Sequence, residues 1–134
     1  MTSLPEHGNA TPLRGLLDAF STGYVAGEER ALADGIIWHA PGTNRFSGRF
    51  EGRAAVIGRL AAMQEAGIVA RYDVHDVVAN DEHAIALVHQ HLEVADGRRY
   101  DQQQVIVAHI RDGRIAELWT MNQDQAVMDV LIGR

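Results

Sequence analysis

The chain has 134 residues, enough for one domain with a substantial core, and hydrophobic residues make up 46% of it, as in globular proteins. Its net charge of −6 disfavours nucleic acid and anionic membrane surfaces as partners. No apolar run approaches the roughly 18–20 residues of a membrane span. Because the N-terminus lacks the pattern of a secretion signal, we expect a cytoplasmic protein.

Two residue types are absent, which narrows the possible chemistry. Without cysteine the chain cannot form disulfides, use a thiol nucleophile or hold zinc through thiolates. Without lysine it cannot form a Schiff base or a P-loop. Its serines and glycines form neither a nucleophile elbow nor a dinucleotide-binding loop. His, Asp, Glu, Tyr and Gln remain, which suit general acid–base catalysis without a cofactor or a bound metal.

The first half of the chain is predicted to be mainly helical. Residues 1–10 are expected to form a flexible tail, and residues 11–134 a single domain. Thr11 followed by Pro12 predicts a helix N-cap, after which leucine and aromatic side chains recur at helical spacing until Gly27. The further elements expected in this half are a short helix over 28–33, a strand over 36–40, a strand fragment over 49–51 and a helix over 52–66.

The second half changes to the two-residue period of β-strands. Asp96-Gly97 and Asp112-Gly113 are typical of tight hairpin turns. Helices followed by an antiparallel meander predict an α+β fold, with the helices over one face of a curved sheet. The predicted strands cover residues 68–78, 83–94, 98–111 and 114–121, and a last helical turn is expected over 124–131.

Two segments of the chain carry a resemblance to a known family. Trp38-His39-Ala40-Pro41-Gly42 breaks an apolar run with a histidine and a turn, and Asp112-Gly113-Arg114-Ile115-Ala116-Glu117-Leu118-Trp119 leads from a turn into a strand. With the helix that opens at Gly52-Arg53, they resemble the SnoaL-like family of the nuclear transport factor 2-like superfamily over residues 11–131. The resemblance implies a cone-shaped, curved mixed or antiparallel sheet wrapped around about three N-terminal helices. It also implies a pocket at one end of the cone and a homodimer paired through the outer face of the sheet.

The chain departs from the catalytic patterns of that superfamily. Where ketosteroid isomerases carry their catalytic Tyr, their base Asp and their oxyanion-hole Asp, the resemblance places Phe20, Ala40 and Ile106. Cyclases and epoxide hydrolases commonly have an Asp directly after the Trp of the second motif, and here that residue is Thr120. We therefore reject ketosteroid isomerase chemistry by these groups, and any activity needs other residues.

Three histidines are the first candidates for such residues. His39 lies where the first strand is expected to reach the pocket. There it would act as an acid or a base or would bind a carbonyl group. The alternative is a structural residue that holds the following turn. His89 and His91 share one face of a strand, because residues two apart point the same way. If that face is inward, they would relay protons or, more weakly, hold a metal with His39. If Gln90 is inward instead, the two histidines lie on the dimer surface.

Further polar candidates lie in the last two strands. Gln102 and Gln104 share a face that points either into the pocket or to solvent. Asp124 either reaches the rim of the cavity or caps the terminal helical turn. The candidate residues are His39, His91 and Asp124 for catalysis, and Phe20, Tyr24, Trp38, His89, Gln104, Trp119 and Asn122 for substrate contacts.

Two functions remain open from the sequence. The leading hypothesis is a cofactor-free isomerase, cyclase or dehydratase that moves a proton next to a carbonyl of a small hydrophobic metabolite. In it His39 is the acid or base, and His91 and Gln104 orient the substrate; a hydrolase is less favoured. The alternative is a non-catalytic protein that binds a hydrophobic ligand, or a dimeric accessory protein, since the acids typical of the family's enzymes are missing.

Overall fold

A computed structural model describes residues 6–22 and 30–134 of the chain. In chain order, the elements are α1 (Ala10–Thr22), β1 (Leu32–Ala40), β2 (Gly48–Glu51), α2 (Arg53–Glu65), β3 (Val69–Ala79), β4 (His83–Glu93), β5 (Arg99–Arg111), β6 (Arg114–Asn122) and α3 (Gln125–Ile132). The six strands form one mixed sheet in the order β2-β1-β6-β5-β4-β3. Neighbouring strands are antiparallel except β1 and β6, which are parallel.

The main core lies between α1 and one face of the sheet, called here the inner face. Leu13, Leu16 and Leu17 follow one side of α1 and are buried, and burial of each contributes about 1.5–3 kcal/mol. The strands meet them with alternate residues, as the two-residue period requires. The buried residues of β4 and β5 on this face are Ala84, Ala86, Val88, Gln90, Leu92, Gln102, Gln104, Ile106, Ala108 and Ile110.

Bulges in β3 and β6 bend the sheet. In β3, His75 is an extra residue between the pairs that Val74 and Asp76 make with β4. In β6, the register with β5 shifts in the same way near Ala116, so that Ile115 and Leu118 are both buried although they are three residues apart. Because a bulge increases local twist and bends its strand, these two positions help curve the sheet around the helices.

The predicted α+β fold is confirmed, and the strand predictions after residue 48 agree with the structure to within one or two residues. The start of the first helix is different. The helix begins at Ala10, and Thr11 is its second residue rather than its N-cap. Ala10 is fully buried, and its N–H donates to the carbonyl of His7 at 2.9 Å. Core packing of Ala10 therefore moves the helix start ahead of the Thr-Pro pair.

The short helix expected over 28–33 is wrong from Leu32 onward, although Arg30 has the 3₁₀-helical conformation. Residues 28–29 lie outside the described residues, whereas Leu32 and Ala33 already belong to β1. Leu32 pairs with Ile115 of β6, whose N–H donates to the carbonyl of Ala31 at 2.7 Å. This long-range pairing overrides a weak local helix preference. Two described helices therefore precede the meander, and the third, α3, follows it.

Residues at the start of the described N-terminal segment contact the rest of the domain. The Arg14 guanidinium donates to the Glu6 carboxylate at 2.6 Å, and the His7 ring lies 3.0 Å from the carboxylate of Asp81. The division into a tail and a domain stays a prediction. Among the described residues, no helix is long and apolar enough to cross a membrane.

Candidate functional site

A cavity of about 260 Å³ lies between the inner face of the sheet and the three helices. Its wall is mostly apolar and is built by all three helices and by every strand except β2. Helix side chains that line it include Leu16, Leu17, Phe20, Leu60, Met63, Met128 and Ile132. Such a mostly apolar hollow with a few polar groups is the usual form of a small-molecule site.

Phe20 and Trp38 form an aromatic wall of the cavity. The two rings are stacked with centroids 5.5 Å apart, and Phe20 also lies 6.0 Å from the ring of Tyr72. Both residues were predicted to contact a substrate, and both line the cavity. Trp38 reaches the inner face because it follows Ile36 by two residues, and both are buried.

A row of amides crosses the sheet beside the cavity. Gln102 Nε2 donates to Gln90 Oε1 at 2.6 Å, and Gln90 Nε2 donates to the Tyr72 hydroxyl at 3.1 Å. Asn122 Oδ1 accepts from both Gln102 and Gln104, at 2.9 and 2.8 Å. Gln90, Gln104, Asn122 and Tyr72 line the cavity, so this network presents fixed polar groups to it. Of the two faces left open for this strand, Gln102 and Gln104 point inward.

Two buried polar atoms at the cavity have no hydrogen-bond partner among the described residues. They are the indole Nε1 of Trp38 and the amide Oε1 of Gln104. Both residues line the cavity. A buried polar group without a partner costs about 1–3 kcal/mol, and a bound molecule can supply the missing partner. Trp38 therefore offers an unused donor to the cavity, and Gln104 offers an unused acceptor.

Arg59 brings a positive charge to the cavity wall. Its Nε donates to the carbonyl of Phe46 at 2.9 Å, and its guanidinium carbon lies 5.0 Å from the ring centre of Trp38 and 5.3 Å from that of Phe50. Burial lowers the pKa of Arg59 to about 10, so the guanidinium remains charged at neutral pH. No carboxylate of the described residues pairs with it.

Tyr72 is the other titratable side chain at the wall. Burial raises its pKa, against smaller lowering effects of the hydrogen bond from Gln90 and of the charge of Arg59. The phenol is therefore protonated at neutral pH and is a proton donor rather than a base. Within the described part of the chain, no Asp, Glu or His lines the cavity.

His39 does not line the cavity, in contrast to the expectation. Its neighbours Trp38 and Ala40 are buried on the inner face, so the alternation of β1 turns His39 to the outer face. There its Nε2 lies 2.5 Å from Glu117 Oε2, and its ring stacks on Trp119 with centroids 5.2 Å apart. Trp119 also lies outside the cavity lining, because Leu118 before it points inward.

His89 and His91 lie on the outer face as well, because Gln90 between them is buried. The two rings stack with centroids 4.8 Å apart. His91 Nε2 lies 2.7 Å from Asp73 and Nδ1 lies 2.9 Å from Asp101, and the hydrogen bond to Asp73, followed by that to Asp101, raises the pKa of His91. The alternative that places these histidines opposite Gln90 is the one observed.

One group in the described residues has the composition of a metal site. His89, His91 and Asp101 can bring one ligand atom each to within 4.8 Å of one another. However, both ring nitrogens of His91 already face carboxylates, which favours an imidazolium with two N–H donors. Since a metal ligand needs a free nitrogen lone pair, this arrangement competes with metal binding.

The other predicted site residues lie at different places. Asp124 caps α3, because its Oδ1 accepts from the N–H of Val127 at 3.2 Å, and it does not line the cavity. Asn122 and Gln104 line the cavity. Tyr24 lies outside the described residues. The three predicted catalytic residues are therefore not brought together, and their catalytic role stays a prediction.

Arg59, Tyr72 and Gln90 line the cavity but were not predicted as ligands. A pattern for Arg59 exists in the sequence: it follows Val56 by three residues and precedes Met63 by four, which places it on the apolar side of α2. A charged residue in an apolar stripe is unusual enough to mark a candidate. For Tyr72, the alternation of residues along its strand was the only sequence signal of an inward position.

The fold and the cavity define a class of protein, an α+β domain whose curved mixed sheet and helices enclose a mostly apolar pocket. The model of the SnoaL-like domain matches residues 13–118, so the chain belongs to this family, whose members bind small molecules. The predicted family is thus confirmed. A search of curated proteins finds no match.

Solved structures share this fold. A Xanthomonas campestris protein of unknown function with a cystatin-like fold is 27% identical, with a TM-score of 0.82 over 94% of this chain and 98% of that one. A nuclear transport factor 2-like protein of Burkholderia xenovorans LB400 is 17% identical, with a TM-score of 0.82 over 98% and 100%. An LEH-like epoxide hydrolase of M. tuberculosis is 18% identical, with a TM-score of 0.73 over 91% and 85%.

Proposed function

We propose that this protein binds a small, largely apolar molecule in the cavity between the sheet and the helices. The observation that carries the proposal is an apolar wall that also holds two buried polar atoms, on Trp38 and Gln104, which lack partners in the described part of the chain. A ligand would gain from leaving water and would also complete these two hydrogen bonds. Its polar atoms would face the amide row and its ring or chain would lie against Phe20 and Trp38.

The predicted catalytic residues do not lie at the cavity. Ligand binding is therefore favoured over a reaction that these residues would catalyse. His39, His89 and His91 face outward, and Asp124 caps a helix. The described lining contains no carboxylate and no imidazole that could accept a proton. The non-catalytic alternative from the sequence therefore has the stronger support.

A thermal-shift panel of neutral and acidic aromatic, terpenoid and polycyclic molecules tests this proposal. A molecule that binds only the folded protein stabilises it by about 2.7 kcal/mol at one hundred times its Kd. We expect at least one member to raise the Tm of the wild type and to lose that effect with Ala70→Phe, which fills the cavity. Ala61→Phe, at an exposed position of α2 outside the lining, is the control and should keep the shift.

The binding proposal fails if no member of the panel raises the Tm of the wild type. It also fails if the shifts are the same in folded Ala70→Phe, because the molecules would then bind elsewhere. A panel of this kind does not require the natural ligand, since any apolar molecule of suitable size reports on an accessible cavity.

A second candidate function is a cofactor-free isomerase, cyclase or dehydratase. It is favoured by one observation: Tyr72, a protonated phenol, and Arg59, a cation, line the same cavity. Tyr72 would donate a proton to a substrate oxygen, and Arg59 would stabilise negative charge on it. For a substrate found by the panel, Tyr72→Phe should lower kcat by about 10²-fold or more while the Kd changes little. Unchanged turnover would reject this candidate.

We also propose a homodimer and a cytoplasmic location. Support for the dimer comes from two apolar rows on the outer face of the sheet, each crossing neighbouring strands. One row is Val78, Ile85, Val107 and Trp119, and the other is Leu87, Val105 and Met121. Val78, Leu87 and Met121 are exposed in the single chain, and a partner copy would cover them.

A further inference from the structure

Arg59 is a charged group in an apolar place. It lines the cavity among Phe20, Leu60 and Met63, and burial is the largest influence on its pKa. Removing an ion from water is costly unless another charge or several hydrogen bonds replace the lost water. The partners of Arg59 must therefore come from the chain, from water or from a ligand.

The described residues supply only part of what Arg59 needs. Its Nε has the carbonyl of Phe46, and the rings of Trp38 and Phe50 lie beside the guanidinium. Among the described residues no acceptor faces the two terminal nitrogens, Nη1 and Nη2, and Arg59 is half-buried, so these nitrogens are open to a ligand or to water. A guanidinium has five N–H donors, and the terminal four suit the two oxygens of a carboxylate.

Arg53, on the same helix, shows the alternative arrangement. It is also partly buried, but its Nη2 donates to the carbonyl of Leu32 at 2.9 Å and lies 2.7 Å from the carboxylate of Asp34. Arg53 thus holds α2 to β1 with its charge paired inside the chain. Arg59, six residues later, has no such carboxylate among the described residues.

The donor atoms next to Arg59 point to the same conclusion. The Trp38 ring that lies 5.0 Å from the Arg59 guanidinium carbon also carries the unpartnered Nε1–H. Tyr72 lies close enough to Arg59 for the guanidinium charge to lower the pKa of its phenol, although burial, the larger effect, raises that pKa and keeps the phenol a neutral donor. Three donor groups and no described acidic side chain thus share one part of the wall, which is an arrangement that favours an anionic oxygen.

We propose that the molecule bound in this cavity is an apolar organic acid, whose carboxylate or ionised enol or phenol oxygen pairs with Arg59 beside Trp38. This inference rests on the proposed ligand-binding function and adds the charge of the ligand to it. The apolar part of the acid lies against the aromatic and aliphatic wall, and Gln104 Oε1 accepts from a hydroxyl or N–H elsewhere on the ligand. The net charge of −6 disfavours anionic ligands, so a preference for an acid needs a local cause such as Arg59.

The test compares two probes with the same skeleton, 2-naphthoic acid and its methyl ester, by calorimetry at pH 7. We expect the wild type to bind the acid about tenfold or more tightly than the ester. In Arg59→Gln the two affinities should become nearly equal, mainly through weaker binding of the acid. Arg49→Gln removes the same charge from an exposed position outside the cavity and should keep the full preference.

A spectroscopic measurement on the wild type needs no variant to fold. 4-Nitrophenol absorbs at longer wavelength when ionised, so its protonation can be followed while it is bound. If Arg59 binds the phenolate, the pKa of the bound probe should fall by about one pH unit, which corresponds to the same tenfold preference. Arg59→Lys, which keeps the charge, should retain part of this fall.

The outcomes separate the two proposals. If the ester binds the wild type as tightly as the acid, or if folded Arg59→Gln keeps the preference for the acid, the inference is overturned while cavity binding stands. If neither naphthalene probe binds and the neutral molecules of the panel also fail, both proposals fall together. An unchanged pKa of bound 4-nitrophenol likewise overturns the inference.

Discussion

His91 connects two carboxylates on the outer face of the sheet, at 2.7 Å from Asp73 and 2.9 Å from Asp101. These hydrogen bonds raise the pKa of His91 and, on the other side, the bond to His91 lowers the pKa of Asp73. Asp73 and Asp101 are exposed and His91 is half-buried, so solvent and salt weaken the interaction. The cluster links β3, β4 and β5 on the outer face of the sheet, away from the cavity.

The His91 cluster predicts a pH dependence of stability whose sign follows from the two shifts. Because the folded-state pKa of His91 is raised, its contribution is complete below the unfolded value of about 6.5 and disappears as the pH rises through the folded value. Because the pKa of Asp73 is lowered, its contribution is present above about 3.9 and disappears as the pH falls through its folded value. In urea unfolding, the free energy of unfolding of the wild type should exceed that of His91→Gln by the largest amount at about pH 5–6 and by the smallest near pH 9.

A second histidine variant controls for the loss of an imidazole. His75 occupies the bulge of β3 and makes no ion pair within the described residues. The difference between wild type and His75→Gln should therefore lack the maximum at pH 5–6. A difference for His91→Gln that grows toward pH 9 would contradict the pairing with Asp73 and Asp101.

At the scale of elements, α3 closes one end of the cavity, and its start is held by Asp124. The Asp124 side chain accepts from the N–H of Val127 at 3.2 Å, while Met128 and Ile132 line the cavity. We expect Asp124→Ala to lower the free energy of unfolding by about 0.5–2 kcal/mol, and Asp124→Ser, which can still cap, to lower it less. Equal losses in both variants, measured by urea unfolding, would show that the cap is not what Asp124 contributes.

The strands show what the sequence can predict and what it cannot. The hairpin turns were identifiable because Gly97 and Gly113 adopt positive φ, which Asp-Gly pairs accommodate. The inward face of β4 was not identifiable, because His89, Gln90 and His91 are all polar and alternation alone favours neither side. Only packing against α1 and α3 decides it, and glutamine then goes inward because its amide can be fully hydrogen-bonded by neighbours such as Gln102.

The candidate site was predicted only in part for the same reason. Phe20, Trp38, Gln104 and Asn122 line the cavity as expected, since aromatic and amide side chains on the buried face of an element have few other places to go. His39 was assigned to the pocket because of its motif, but its strand alternation, with Trp38 and Ala40 buried, requires the outer face. Arg59 depends on contacts between α2 and distant residues such as Phe46, which local patterns do not reveal.

At the scale of the whole molecule, the two faces of the sheet differ in composition. The inner face carries the core and the cavity, whereas the outer face carries both apolar rows with histidines beside them. His83 and His109, stacked at 5.4 Å, lie on one side of the rows, and His89 and His91 on the other. An apolar strip bordered by polar groups is the usual composition of a protein interface, with a dry centre and a polar rim.

The proposed homodimer predicts the effect of a charge placed in the centre of this strip. Leu87 is 40% exposed and lies opposite Val105, whose other neighbour across the sheet is Met121. In a dimer, Leu87→Asp would bury an unpaired carboxylate against the partner copy, so we expect analytical ultracentrifugation to find a dimer for the wild type and a monomer for the variant. Val130→Asp, at a 76% exposed position of α3 away from the sheet, should remain dimeric.

A monomeric wild type at micromolar concentration, or a dimer that survives Leu87→Asp, would exclude pairing through the apolar rows. Because Leu87 points away from the cavity, the monomeric variant should still bind the ligand, which would separate assembly from ligand binding.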